Sequence, residues 1–306
     1  MSVRLDVVTY AGWRNCLRLT AGPVELVVTT EVGPRVIRCG LRGKPNLFKE
    51  YAEQHGQTGG AGWRIYGGHR LWHAPEVKPR TYAPDNEPVA WTWKGGTLTL
   101  SQPVEPTTGI EKQIRITPAA NGLIDLQHRL INRNPWDIEL APWCLTVMAP
   151  GGRAVFPQER FLPHTEHLLP ARPLVLWHYT DMADPRWTWG RRFIQLRQDA
   201  TAQAPQKVGL FIRDGWAAYT LRGQVFIKRF PARLDQPHAD FGCNAETFTN
   251  ADMLEVESVG ALARLPAGGH VDHAERWGIF AARVGETEAR IEAGLLPLVR
   301  RVPAVT

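Results

Sequence analysis

Short runs that alternate apolar and polar residues recur along nearly the whole chain, and glycine-bearing turn dipeptides interrupt them. A period of two places successive side chains on opposite faces of a strand, and no helix tolerates it. Val3 to Val8, Val24 to Val28, Arg35 to Cys39, Val89 to Trp93, Thr97 to Leu100, Ile110 to Thr117, Leu123 to Ile131 and Ile138 to Met148 read as strands. Val208 to Arg213, Trp216 to Leu221, Val225 to Phe230, Met253 to Val259 and Trp277 to Val284 continue the series. Gly95-Gly96, Asn121-Gly122, Asp214-Gly215 and Arg222-Gly223 supply turns, and the last two predict a three-stranded meander over 208–230. One short helix is predicted, from about Glu286 to Leu295, ended by Pro297. More than a dozen strands without alternating helices exclude a doubly wound α/β fold. They leave one all-β domain over 1–306, a very large antiparallel sandwich or barrel with at most short helices.

Residues 62–88 (GWRIYGGHRLWHAPEVKPRTYAPDNEP) break this pattern. Pro75, Pro79, Pro84, Pro88 and the Gly67-Gly68 pair argue against a regular helix or an ordinary core strand. Yet Trp63, Tyr66, Trp72 and Tyr82 lie among Arg64, His69, Arg70, His73, Glu76, Arg80, Asp85 and Asn86. Aromatic platforms between forked donors and carboxylates suit a hydroxyl-rich ligand such as a sugar. The stretch therefore reads as the wall of a binding cleft, against the alternative of a loop whose aromatics plug the end of a sandwich. A second irregular stretch, 157–190, carries Trp177, Trp187 and Trp189 with His164, His167, His178 and Arg186.

The charge of +6 invites a nucleic-acid partner, but the 29 arginines and 7 lysines are dispersed and form no basic block. No nucleic-acid partner is expected. No apolar run is long enough for a transmembrane helix, so no membrane association is expected. The opening MSVRLDVVTYAGWRN lacks the layout of a signal peptide, and a cytoplasmic location is expected. Cys16, Cys39, Cys144 and Cys243 are scattered, which predicts buried thiols and neither a zinc site nor any cofactor.

Four constellations could carry chemistry. His69 and His73 lie four apart with Glu76 nearby; the glycines and prolines take away the helix that would make this a metal pair, leaving acid–base, hydrogen-bonding or structural roles. On Met253 to Val259, alternation puts Leu254 and Val256 on one face and Glu255 and Glu257 on the other. Two neighbouring carboxylates are either solvated or gathered in a polar cleft, where one pKa rises as a general acid or base needs. A turn-like segment delivers Asn244 and Glu246 just before that strand. His270 and His273 beside Gly268-Gly269 read as surface residues, and His128 as a core histidine.

The runs Gly67 to Glu76 and Tyr82 to Asn86, with Leu254 to Ser258 and Arg276-Trp277, resemble a bacterial family that is similar to the galactose mutarotase-like (aldose 1-epimerase-like) proteins. That resemblance implies an antiparallel β-supersandwich that binds carbohydrate on a concave face, with a histidine acid and a glutamate base opening the sugar ring. Glu246 and Glu257 both fit the glutamate's place. The family's histidine motif has its counterpart in Ile131 to Cys144, where this chain has no histidine, so His69 or His73 could supply the acid only from another wall. The expected substrate contacts are Arg64, Arg70, Trp72, Glu76, Arg80, Tyr82, Asn86, Trp143, Asn244 and Glu255. Arg64, Arg70, Arg80 and Arg186 further suggest an acidic or phosphorylated sugar. The readings are an epimerase or mutarotase, a lyase or glycoside hydrolase using paired carboxylates, and a carbohydrate-binding protein without turnover.

Overall fold

The computed structural model describes residues 3–305. Two large antiparallel sheets hold nearly all of the regular structure. The larger begins with β1 (Arg4–Tyr10), β2 (Trp13–Ala21), β3 (Val24–Thr29), β4 (Arg35–Leu41) and β5 (Gly68–Ala74) in order. It continues through β10 (Ile138–Met148), β19 (Leu254–Val259), β18 (Ala245–Thr249), β15 (Gln206–Leu210) and β12 (Leu174–Leu176), with β20 (Ala263–Leu265) on one end of β10. The second sheet runs β13 (Trp187–Trp189), β14 (Phe193–Arg197), β11 (Arg153–Pro157), β16 (Trp216–Leu221) and β17 (Gln224–Arg229). Then come β21 (His270–Ala281), β9 (Ile124–Asn132), β8 (Ile110–Pro118), β7 (Thr97–Ser101) and β6 (Ala90–Lys94).

The inner faces meet in one apolar core, built from alternate residues such as Leu17, Leu19 and Leu26 on one side and Ile114, Leu126 and Phe226 on the other. Phe48, Phe226 and Trp277 interlock edge to face there. A smaller cluster lies on the outside of the second sheet, where α1 (Glu288–Arg300) lays Ile291, Leu295 and Val299 over Val155, Trp216 and Ile227. Thr287 caps that helix by accepting from the Arg290 amide. No helix among the described residues is long and apolar enough to cross a membrane.

Three expectations need correction. The first seven residues from Gly68 form a core strand, buried throughout and paired with β10 from Ala141↔Ala74 to Val147↔Gly68. The prolines all fall after it, from Pro75 onward, so they cost its ladder nothing. Gly68 opens the strand at φ +70°, where an added Cβ would lie 2.2 Å from the Val36 carbonyl oxygen, so only glycine fits. Residues 208–230 are not a meander: β15 belongs to the larger sheet, and the chain crosses the sandwich before β16 and β17 form their hairpin. The helix runs through Pro297 to Arg300 even though a proline removes its own amide and crowds the carbonyl four residues back, because the buried Leu295 and Val299 hold the last turns down.

Candidate functional site

The outer face of the larger sheet gathers several residues with unspent hydrogen-bonding capacity. Alternation on β5 sends Arg70 and Trp72 to that face and His69, Leu71 and His73 inward. Cross-strand pairing then fixes the neighbours. Trp72 sits opposite Trp143, Leu145 opposite Glu257, and Glu257 opposite Glu246. Glu246 in turn sits opposite Gly209 on β15, whose bare backbone leaves room for Cys243 and Trp177 above it.

Glu246 and Glu257 are thus side by side on adjacent strands, at 1% and 0% exposure. Lys207, one strand further, places its ammonium 2.7 Å from Glu246 Oε2 and 3.8 Å from Glu257 Oε2. The Trp143 indole donates to Glu257 Oε2 at 2.7 Å. Lys207 lies over the Trp143 and Trp177 rings, at 4.7 and 4.5 Å from their centres. Arg70 donates to Glu255 Oε1 at 3.1 Å. Several atoms of this buried group have no partner: Glu246 Oε1, Glu257 Oε1, Arg70 Nε and Nη1, and the Trp63 indole nitrogen. Native interiors leave few polar atoms unpaired, so a cluster of orphaned donors and acceptors on one face marks a place for a polar ligand.

Burial is the largest influence on both carboxyls. It pushes Glu246 up to about 8 and Glu257 up to about 7, against the pull of the Lys207 ammonium. Raised in this way, the pair favours keeping a proton that solvated carboxyls would have lost at neutral pH. That is the state in which one group can give a proton and the other can take one.

The aromatic residues divide into two sets. Trp72 and Trp143 are buried and spend their faces on each other and on Tyr82 and Trp63. They are packing rather than open platforms, which corrects the sequence expectation for both. Trp63, Tyr82 and Trp177 stay half-buried, with Lys78 over the Tyr82 ring and Lys207 over Trp177, and Tyr179 is exposed, so the rim keeps only part of its ring surface open. Glu76 stands exposed at this rim, accepting from the Tyr82 hydroxyl.

Other predicted contacts lie elsewhere. Arg64 donates to the Gly59 carbonyl and Arg80 to the Pro75 carbonyl. Arg186 is buried in a two-bond pairing with Asp184. Of the four arginines that suggested an acidic sugar, only Arg70 reaches the carboxyls. Asn86 clamps the Gly60 and Gly62 carbonyls, and Asn244 bonds both the amide and the carbonyl of Ile212. Both are loop anchors.

His69 and His73 do not share a face with the glutamates, so the acid expected from them across a cleft is not placed there. His69 enters a network between the sheets, 0% exposed. The His128 Nδ1 donates to the His273 carbonyl, leaving its Nε2 to accept from His69 Nε2 at 2.7 Å, and His69 Nδ1 accepts from Thr146. His273 Nε2 donates to Ser258 Oγ, which donates to Glu275 Oε1 at 2.6 Å. Trp277 and Lys228 complete the shell of Glu275, at 2.7 and 2.9 Å. His69, His128 and Glu275 offer ligand atoms close enough together for a metal, but the Lys228 ammonium already supplies the cation and every bond is satisfied. His273, expected at the surface, is buried because β21 pairs with β9 through His273↔His128. His73 is buried with both ring nitrogens unpartnered.

Lys207 escaped the sequence reading, which began its strand at Val208. Starting β15 two residues earlier would have placed this lysine in phase with Gly209 and opposite the glutamate strands.

No family model matches the chain, and no curated protein matches it. Solved structures do match. A galactose mutarotase-like protein from Lactobacillus casei superposes with a TM-score of 0.59 at 8% identity, covering 87% of this chain and 100% of its own. A proposed aldose 1-epimerase from Klebsiella pneumoniae gives 0.60 at 10% identity, covering 97% and 87%. The Slr1438 protein from Synechocystis gives 0.58 at 10% identity, covering 90% and 99%. At such identities the likeness is one of fold: an all-β sandwich of the galactose mutarotase-like, aldose 1-epimerase-like kind.

Proposed function

On this mutarotase-like scaffold, we propose that the protein binds a carbohydrate over the outer face of the larger sheet and moves protons on it with Glu246 and Glu257. The observation that carries the reading is the cross-strand placement of two buried carboxyls, each with a free oxygen, around one ammonium. The anomeric and ring oxygens of a sugar are bonded to one carbon. A carboxyl pair on one side of a sheet suits two such adjacent oxygens, whereas glycosidic cleavage needs carboxyls about 5–9.5 Å apart that flank the bond.

In the proposed step, the ionised member of the pair takes the proton of the anomeric hydroxyl. The protonated member gives its proton to the ring oxygen as the ring carbon–oxygen bond breaks and the carbonyl forms. Closing on the other carbonyl face, with both transfers reversed, yields the opposite anomer. Arg70 and the Trp63 indole donate to the remaining hydroxyls, and Tyr82 and Trp177 cover the sugar's C–H face.

Exchange between anomers of a panel of aldoses, followed by NMR, tests this. Glu257→Gln and Glu246→Gln should each slow exchange by about 10²–10⁴, the usual worth of a positioned acid or base. Exchange indifferent to both substitutions sinks the reading. A protein that binds sugars tightly but never accelerates exchange would instead be a carbohydrate-binding module.

A further inference from the structure

We infer that this face selects a sugar that bears one positive charge, an amino sugar, over neutral and anionic sugars. The inference rests on the carbohydrate reading above and names its substrate class. It starts from a count of buried charge. Lys207 brings one ammonium to two carboxyls, and all three side chains are buried. Arg70 and Glu255 cancel as a close pair. With every group ionised, the face holds one carboxylate without a counter-charge.

Among the surroundings, Asp240, from the loop before β18, acts on the Glu246–Lys207–Glu257 group as a further negative charge. Glu76, at the rim, does so too, and there the Lys78 ammonium over the Tyr82 ring stands against it. Cys243 and Tyr179 also face it; burial raises the pKa of both, which keeps them neutral. Arg70 is the other cation that reaches the pair, and it is engaged by Glu255. Buried charge persists only when it is paired, so the free protein corrects the count by holding a proton on the pair.

A ligand ammonium can take that proton's place. Its N–H groups meet the free Glu246 Oε1 and Glu257 Oε1, while the hydroxyl oxygens of the same sugar accept from Arg70 Nε, Arg70 Nη1 and the Trp63 indole. The donors and acceptors left over on the face therefore match the two ends of one amine-bearing polyol. An amine on the carbon beside the anomeric centre would sit against the two carboxyls. The proton it carries is shared with the pair, so the site still commands one transferable proton for ring opening. A uronate or sugar phosphate brings no cation to replace that proton, and wherever the pair is ionised it sets a second negative charge beside the first. At roughly 5 Å and an effective dielectric near 20, that repulsion is at most on the order of 100-fold in affinity, reached when the pair is fully ionised.

The test is titration calorimetry at pH 8 with hexosamines, hexoses and hexuronic acids of matched gluco and galacto configuration. Affinity should fall in that order, with at least about ten-fold between amine and neutral sugar and up to about 100-fold between neutral sugar and uronate. Glu246→Gln removes the surplus charge and should bring the hexosamine's affinity down to that of the hexose. Lys207→Met enlarges the surplus and should widen the preference. Equal affinity for all three classes, or a preference for the uronate, overturns the inference and leaves the carbohydrate reading in place. Failure of every sugar to bind overturns both.

Discussion

Replacing Lys228 by methionine tests whether the polar network between the sheets is held together by its charges. The Lys228 ammonium is fully buried and has three acceptors: Glu275 Oε1 at 2.9 Å and the carbonyls of Cys144 and Val256, both at 3.1 Å. Methionine has a similar length and fills the space, so little of the cost is cavity. What remains is a buried carboxylate without its cation, which costs about 3–5 kcal/mol. Two carbonyls that lose a donor add up to about 1 kcal/mol each. The expected destabilisation is therefore about 3–7 kcal/mol at pH 7, a large share of a total in the range of roughly 5–15 kcal/mol. Burial alone would raise the Glu275 carboxyl, yet Lys228 and then the histidine neighbours hold it far below the usual carboxylate range. Without Lys228 it gains a proton more readily, so the cost should shrink on acidification. Urea unfolding of Lys228→Met, Glu275→Gln and the double variant measures the coupling. In Glu275→Gln the amide oxygen can keep the Trp277 indole bond while the amide nitrogen takes the Oε1 place and donates to Ser258 Oγ, an arrangement that the Lys228 ammonium opposes and a methionine there tolerates, so the double variant should be more stable than the sum of the singles predicts, by about 2–3 kcal/mol. If Lys228→Met does not accumulate, recovery of folded protein on adding Glu275→Gln reads the same coupling. A loss under about 1 kcal/mol at unchanged m, or strict additivity, refutes the argument.

The pH dependence of stability should have two opposed parts. His73 and His273 are lowered by burial to about 2 and about 3, below the unfolded value near 6.5, so each contributes stability that is lost as pH falls below 6.5, at about 1.4 kcal/mol per pH unit. Glu246 and Glu257 are raised above 4.5, so their contribution is full below 4.5 and is lost as pH rises through about 7 and about 8. Urea midpoints should therefore change gently between pH 5 and 8 and drop steeply below about 4.5; His73→Leu should flatten that drop, and an unchanged slope counts against the assignment. Trp143→Phe takes the indole donor from Glu257 Oε2 and should push that carboxyl further up, read by carboxyl NMR. Gly68→Ala should cost at least about 2 kcal/mol, since its Cβ would collide with the Val36 carbonyl in a left-handed conformation. Leu295→Ala should cost about 2–5 kcal/mol by opening the seat of α1, and a cost below that range would mean the helix is loosely docked.

The β architecture was legible in the sequence because strand periodicity is a local property. Leu254 to Val259 needs only its own alternation to place Glu255 and Glu257 on one face and Leu254 and Val256 on the other, and the structure keeps that split. Local pattern also misled where prolines crowd a strand without entering it. Gly68–Ala74 is one of the most buried strands in the molecule, and the prolines that argued against it all lie beyond its last residue. The 208–230 segment failed for a related reason: two turn dipeptides mark where strands end, but nothing in them says to which sheet the next strand goes.

The candidate site shows the same division. Arg70, Glu246, Glu255 and Glu257 were visible as residue types suited to a sugar, but the alternation that separates Arg70 from the histidines appears only once Gly68–Ala74 is seen to be a strand. Whether a carboxylate is solvated or shifted by several pH units depends on what covers it. That is decided by strands and loops far away in the chain, by Trp143 and Lys207 beside Glu257 and by Trp177 above them. The sequence alone determined the β class, the two-faced strands and the chemical repertoire, because spacing along one strand sets which side chains point together. Only the tertiary structure decided that two glutamates and one lysine share a buried face while the histidines lie behind it, because desolvation and charge pairing arise between segments that no sequence interval links.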